Sequence, residues 1–362
     1  MVGPLAVNPT PTSFALGSLG KLYVTGVISA FGQVQDNAAP GDKSSELDAD
    51  NAMLMINKPD GLVQFFLQAG AYSLPDLGVP YLRASDATKA YYGVVPQGFV
   101  KLAPTDKFSM LVGALPTLIG AEYTFSFENM NVQRGLLWNQ ENAVNRGVQA
   151  NYTAGPLALA FSWNDGFYSK TYSWAVGSVA YTIDGANTVS LVAGGNTKVT
   201  NIATSATPLF QNNEQIYDLI YTHTTGPWTF QPYVQYTKVP ALPQFGAPTS
   251  ASTSGAALLM NYKFASKSTS SDKRIASFNL PVRVEYISST GSATDGAPNL
   301  MYGPGSKAWS ITVTPTYQYN VFFARGELAF VHAQDITPGF GFGANGTDSS
   351  QARALVELGL LF

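Results

Sequence analysis

The final stretch of the chain, Ala352–Phe362 (ARALVELGLLF), alternates two kinds of side chain with a period of two. Apolar residues occupy every second position from Ala354 to Phe362, and the alternate positions carry Arg353 and Glu357 among Leu355, Gly359 and Leu361. Successive side chains of a β-strand point to opposite faces, so one face suits lipid and the other a wetter place. At an open sheet edge in water this strand would promote aggregation, whereas in a closed membrane barrel it is an ordinary element.

The composition favours the same fold. Charged residues make up 12% of the chain, about half of the ~25% typical of soluble domains. No apolar run approaches the ~18 residues that a membrane-spanning helix needs, so a membrane protein of this sequence requires a closed barrel. We therefore predict an all-β protein, a transmembrane antiparallel β-barrel, with a single barrel domain over residues 20–362 and an N-terminal segment over residues 1–19 leading into it.

The rhythm of turns predicts the number of strands. Tight connections rich in Gly, Pro, Asn and Asp alternate with long polar ones, as in bacterial barrels. The tight connections fall at 58–61, 104–107, 153–156, 184–187, 224–227, 266–273 and near Asn320. The segments between turns predict about sixteen strands. They are 20–33, 50–57, 62–73, 88–102, 107–115, 145–153, 156–165, 172–183, 188–198, 214–224, 227–239, 254–265, 275–288, 306–319, 321–333 and 350–362.

Alternation inside these segments has two interpretations. An antiparallel sandwich with one wet face would give the same pattern. A membrane barrel explains in addition why charges are scarce and why aromatic residues recur near strand ends, as in the girdles of membrane barrels. These aromatic residues are Trp163, Trp174, Trp228, Tyr236, Tyr286 and Trp309.

One segment resembles a known family. Val112–Trp138, followed by residues 145–152 and the strand end at Trp163–Gly166, resembles the OmpL-like putative beta-barrel porin family. The matching positions are Gly113, Thr117, Gly120, Glu122, Phe127, Asn129 and Arg134, and Ala121 departs from the aromatic residue expected there. The resemblance implies a channel in the outer membrane of a Gram-negative bacterium and no particular solute. The ending on Phe362 resembles the closing strand of such barrels, which implies recognition by the barrel assembly machinery.

The longest connection lies between the strands near 115 and 145. Loops beyond ~12 to 15 residues are usually functional or disordered, and this third long loop is too apolar for disorder. We expect it to fold inward and narrow the pore. Its charged residues at the constriction are Glu122, Glu128, Arg134 and Glu141. The alternative is an external loop that packs on a neighbour or another subunit.

The predicted function is an outer-membrane porin, a passive diffusion channel for small hydrophilic solutes or ions. Sixteen strands leave an aqueous lumen, and charged wall residues set its selectivity. The predicted pore-lining residues are Asp218, Arg283, Glu285, Arg325, Glu327, Arg353 and Glu357. The alternative is a structural or partner-holding barrel with a plugged lumen. The expected partners of the chain are outer-membrane lipid and, by analogy with sixteen-stranded porins, two further copies of the chain in a homotrimer.

Other functions lack support in the sequence. A net charge of -3 gives no basic surface for nucleic acid, and the absence of cysteine removes disulfides and thiolate metal sites. Only His223 and His332 are histidines, and no catalytic motif accompanies them, so we predict no catalytic residues, no metal and no cofactor. The first residues lack the positive region of a signal peptide, so we expect the sequence to start at a mature or re-engineered N-terminus.

Overall fold

The structure, a computed structural model, describes residues 3–265 and 276–362. Its strands are β1 Thr12–Ala15, β2 Lys21–Gln35, β3 Ser45–Lys58, β4 Val63–Tyr72, β5 Gln97–Leu102, β6 Phe108–Pro116, β7 Val144–Ala154, β8 Leu157–Asn164, β9 Trp174–Thr182, β10 Asn187–Asn196, β11 Gln215–Thr225, β12 Trp228–Val239, β13 Ala251–Phe264, β14 Ala276–Ser289, β15 Lys307–Val313, β16 Thr316–Tyr319, β17 Phe322–Gln334 and β18 Ser350–Leu361. The helix α1 covers Ala84–Ala90, and short 3-10 helices cover Gly17–Leu19, Ser126–Glu128, Trp138–Gln140, Gln211–Asn213 and Pro243–Phe245.

All strands belong to one antiparallel sheet that closes on itself. β18 pairs with β2 along Arg353–Leu361, which joins the last wall strand to the first. β15 and β16 are two halves of one crossing, because both pair with β14 on one side and β17 on the other. Pro315 lies at the break and has no N–H to give to the ladder. With these halves joined and the short β1 set aside, the wall is the predicted 16-stranded barrel.

Short and long connections alternate around the barrel, as the turn residues predicted. Two-residue turns such as Gly155–Pro156 stand at one rim, and long connections such as 73–96, 117–143 and 197–214 stand at the other. In bacterial barrels the short turns are periplasmic and the long loops external. The tight turn predicted at 266–273 lies outside the described residues.

The predicted strand 88–102 is wrong in its first half, which contains the end of helix α1, and β5 begins only at Gln97. The segment Ala84–Ala90 (ASDATKA) is rich in alanine, the strongest helix former. The Asp48 carboxylate accepts a 2.8 Å hydrogen bond from the Ala84 N–H and so satisfies a free donor at the start of the helix. A hydrophobicity pattern cannot predict this tertiary contact.

The two faces of the wall follow the predicted alternation. In β18 the Val356 and Leu358 side chains are exposed on the outside, and Arg353 and Glu357 are buried on the inside. Five of the six predicted girdle residues are exposed, but Trp174 was wrongly assigned to the outer face. It is fully buried, its indole N–H donates a 3.0 Å hydrogen bond to the Asn212 carbonyl, and its ring packs edge-on against Phe167.

The apolar core lies inside the barrel. Met130, Leu136 and Leu137 of the long connection pack with inward wall residues such as Leu259 and Ile287. No helix in the described part of the chain is long and apolar enough to cross a membrane.

Candidate functional site

The connection 117–143, called the long loop below, is held against the inner face of the wall by hydrogen bonds from its backbone. The N–H groups of Val132 and Gln133 donate to the two carboxylate oxygens of Glu327, over 2.6 and 3.1 Å. The Gly120 N–H donates to Asp218 over 3.0 Å. Buried backbone groups need such partners, so these wall carboxylates anchor the loop.

A buried charge network fixes the middle of the loop to β14. The Arg283 guanidinium forms ion pairs with Glu122 at 2.6 Å and with Glu285 at 3.0 Å, and it also donates to the Gln133 carbonyl over 2.7 Å. The second oxygen of Glu122 accepts the Gly135 N–H over 2.8 Å. The three charged side chains are at most 4% exposed. Buried charges are tolerated only when they are paired and hydrogen-bonded, so each of these three charged side chains depends on the other two.

Two more wall arginines extend this network. Arg325 pairs with Glu357 at 2.5 Å and donates to the Ser126 carbonyl over 3.1 Å. Arg353 donates to Gln133 Oε1 over 2.9 Å and to the Gln35 side chain over 2.6 Å. The guanidinium groups of β14, β17 and β18 therefore all contact the long loop.

The predicted pore-lining residues are on the inner face, but the long loop and neighbouring side chains cover them. Asp218, Arg283, Glu285, Arg325, Glu327, Arg353 and Glu357 are all 3% exposed or less. Their role in the pore therefore stays a prediction, and their observed contacts are those of anchors for the loop.

The four predicted constriction residues have separate partners. Glu122 pairs with Arg283, and Arg134 pairs with Asp76 at 2.9 Å and lies over the Trp138 ring. Glu141 accepts a hydrogen bond from Gln235, and Glu128 accepts one from the Phe125 N–H. The structure thus distributes these four residues along the loop instead of gathering them in one ring.

Glu141 lies in an acidic region near β11 and β12. It accepts a 2.8 Å hydrogen bond from Gln235 and a 3.4 Å one from Tyr233. Burial and the neighbouring Asp218 raise the pKa of Glu141 well above its usual range. A Cβ on Gly120 would lie 1.7 Å from a Glu141 carboxylate oxygen, and Gly120 has a φ of +82°, so this close approach requires glycine.

Glu128 is the one predicted constriction residue that stays half-buried instead of buried. Its carboxylate accepts a 3.3 Å hydrogen bond from the Phe125 N–H. Burial raises the pKa of Glu128 to about 7, although that N–H and the charge of Arg134 favour the carboxylate. Its charge therefore changes near neutral pH.

The segment Gly3–Ala6 also contacts the barrel interior, which sequence reasoning missed. The Gly3 N–H donates to the Glu128 carbonyl over 3.0 Å. Ala6 exchanges two hydrogen bonds with the side chain of Gln318, an inward residue of β16, over 2.7 and 2.9 Å. Leu5 is buried in the same apolar cluster as Phe125 and Phe127 of the long loop. No pattern in residues 1–19 signalled this position.

Two cavities lie on different sides of the long loop. The first, called the inner cavity, has a volume of about 390 Å³ and lies between the loop and β9 to β12. Its wall residues are Gln97, Pro116, Ser178, Ala180, Ser190, Val192, Ile220, Thr222 and Gln231, and its loop residues are residues 117–124 and Glu128. The second, also about 390 Å³, lies among the long connections and is lined by Leu136, Gln140, Tyr302 and Phe340.

The small polar residues of the inner cavity were missed because the sequence analysis selected candidate wall residues by charge. The alternation within the predicted strands 172–183 and 188–198 was the signal that would have placed Ser178 and Ser190 on the inner face.

A closed antiparallel barrel with short turns at one rim, long loops at the other, an apolar outer band and a charged interior is the architecture of an outer-membrane porin. Solved structures share this fold. OmpT of Vibrio cholerae in a trimer form has 10% sequence identity and a TM-score of 0.59 over 94% of this chain and 99% of that one. DcaP, an outer-membrane channel of Acinetobacter baumannii, has 10% identity and a TM-score of 0.60 over 94% and 97%. OmpF of Salmonella typhi, in complex with daunomycin, has 11% identity and a TM-score of 0.61 over 97% and 100%.

The family model described as "Putative beta-barrel porin-2, OmpL-like" matches residues 21–362. The chain therefore belongs to this family and is an outer-membrane porin, as the resemblance at Val112–Trp138 predicted. Its location is the bacterial outer membrane. A sequence search of curated proteins found no match.

Proposed function

We propose that the chain is a passive diffusion channel for small hydrophilic solutes whose pore is narrowed by the long loop. The observation that carries this proposal is the set of hydrogen bonds from Gly120, Val132 and Gln133 to wall carboxylates, which keep the loop against the inner face. Glu122, Glu128, Arg134 and Glu141 then lie along the narrowed part.

The test is single-channel recording of the full chain in planar bilayers, beside a variant with the long loop shortened between Phe125 and Leu136. Shortening removes the obstruction and leaves the wall ladder intact, because loops tolerate deletion and the barrel wall satisfies its own backbone. We expect conductance to rise. A correctly inserted deletion variant with wild-type currents would contradict the narrowing role.

The second candidate is a barrel whose lumen is plugged and which holds a structural role or a partner. The burial of Arg283, Arg325 and Glu357 under the loop favours it, since pore-lining charges are normally hydrated. An inserted wild-type barrel without measurable conductance would select this function.

Four further parts of the proposal concern partners and chemistry. We infer a homotrimer from the trimer form of a structural neighbour, recognition of the exposed Phe362 by the barrel assembly machinery, and an outer band in contact with lipid. We also propose that the barrel has no enzymatic activity. Cross-linking in detergent tests the trimer, and Phe362 deletion, with lost insertion expected, tests the assembly signal.

A further inference from the structure

The inner cavity differs chemically from the rest of the barrel interior. Hydroxyl and amide groups line its wall side, at Ser178, Ser190, Thr222 and Gln231, between the small or apolar Ala180 and Val192. No lysine, arginine or histidine is among its described lining residues. Among these described lining residues, the charged ones are Glu122, which is already paired with Arg283, and the half-buried Glu128.

One polar group of the cavity wall, the side-chain amide of Gln231, has an unused hydrogen-bond acceptor. The Gln231 side chain is 6% exposed, and its amide nitrogen donates a 3.1 Å hydrogen bond to Thr222. Its carbonyl oxygen has no partner within the described structure. Buried polar atoms are normally satisfied, so an unpaired acceptor facing a cavity points to water or a solute there.

The geometry points to the inner cavity as the solute-selecting segment of this porin, which admits small uncharged solutes rich in hydroxyl groups and, among ions, cations before anions. This inference rests on the proposed function. Hydroxyls both donate and accept, and amides offer both roles, so they match the hydroxyl groups of a sugar-like solute in either orientation.

The volume of the inner cavity and the aromatic ring at its border suit such a solute. A volume of about 390 Å³ is near the small end of ligand cavities. The Tyr123 ring, which is 39% exposed, borders the cavity. A partly exposed ring offers a flat apolar surface beside polar groups.

Anions lack a partner in this cavity. The guanidinium groups of Arg283, Arg325 and Arg353 are engaged with carboxylates or loop groups and buried beneath the loop. Glu128 lines the cavity, and its surroundings also include the N-terminal segment and Arg134. A carboxylate beside a narrow cavity raises the local concentration of cations and lowers that of anions.

The experiment uses the full chain in proteoliposomes and planar bilayers. Swelling rates are compared for a neutral hexose and for gluconate, and the reversal potential is measured across a KCl gradient. We expect the hexose to enter at least about threefold faster than gluconate and potassium to permeate more readily than chloride.

A matched pair of variants locates the effect. Thr222→Arg places a guanidinium in the cavity, and Thr224→Arg places one on the same face of β11 but at the exposed end of the strand, outside the cavity. Thr222→Arg should shift the reversal potential toward chloride, and Thr224→Arg should change it little. Glu128→Gln, on the loop side, should lower the cation preference without a change in the wall.

The results distinguish a failure of the proposed channel function from a failure of the proposed selectivity. An inserted barrel without conductance overturns the proposed function, and the selectivity falls with it. A conducting barrel that prefers chloride, or that passes gluconate as fast as the hexose, overturns the selectivity alone. Equal shifts of the reversal potential in Thr222→Arg and Thr224→Arg would mean that the inner cavity does not select ions. This result also overturns the proposed selectivity.

Discussion

The inner wall formed by β14 to β18 and the inner wall formed by β9 to β12 use different chemistry. The first presents Arg283, Arg325 and Arg353, and each is hydrogen-bonded to the long loop. The second presents serine, threonine and glutamine beside a cavity, and its contacts with the loop, through Asp218 and Gln235, lie outside the lining of that cavity. Charged pairs that lose their water need partners on all sides, whereas neutral hydroxyls tolerate either water or a solute. The arginine-rich wall therefore suits a fixed loop, and the cavity-lining part of the other wall suits a passage.

The largest expected effect tests the arginine-rich wall. Arg283→Met removes the cation between Glu122 and Glu285 and leaves both carboxylates buried without it. Breaking a buried pair in this way costs about 3 to 5 kcal/mol. Urea unfolding in detergent micelles should show a correspondingly lower free energy of unfolding.

The control for this variant is Lys307→Ala. The Lys307–Asp335 pair spans 3.1 Å but is 45% and 62% exposed, so its loss should cost less than about 1 kcal/mol. Equal losses from the two variants would show that the arginine-rich wall is not an anchor.

The next effect tests the assignment of faces in β13, the strand between the two walls. Met260 is on the outer face, and its neighbour Asn261 is on the inner face with a 3.2 Å hydrogen bond to Asn279. Arginine on the lipid face costs up to about 2 to 4 kcal/mol at the bilayer midplane. Met260→Arg should therefore reduce insertion more than Asn261→Arg, as measured by the fraction of heat-modifiable barrel on a gel. The reverse order would mean that the faces are exchanged.

A smaller effect is expected at the N-terminal segment. Deletion of residues 3–8 removes Leu5 from the interior and frees Gln318 and the Glu128 carbonyl. Single-channel conductance should rise, by less than after shortening of the long loop. Val7→Ala, at a side chain that is 60% exposed, serves as the control and should leave conductance unchanged. Wild-type conductance in the deletion variant would show that this segment does not obstruct the lumen.

The smallest effect is a pH dependence of selectivity at Glu128. Because burial raises the pKa of Glu128 to about 7, the side chain is mostly neutral below that pH and mostly charged above it. The potassium-to-chloride permeability ratio should therefore increase between pH 6 and pH 8, and the increase should be smaller in Glu128→Gln. The same slope in both proteins would assign the effect to another group.

The sequence predicted the wall well and the interior poorly. In β18 the positions of Arg353 and Glu357 on the inner face followed from alternation alone, because a strand has a fixed period. In the long loop the same residues that were expected to form one constriction, Glu122 and Glu141, have different partners on β14 and β12. Partners distant in sequence leave no periodic signal.

By itself, the sequence determined the closed antiparallel barrel, its short and long connections and the lipid face of strands such as β18, but not the inward position of Trp174 in β9. Those features are local, since turn residues and a period of two fix them within a few positions. Only the tertiary structure decided that Asp48 caps a helix whose end replaces the start of the predicted strand 88–102, and that Gly3–Ala6 enters the interior. It also decided that the loop covers the arginines of one wall and leaves the hydroxyls of the other beside a cavity. The reason is that these arrangements depend on which buried charges and backbone groups satisfy one another across the barrel, and that is a property of the folded chain.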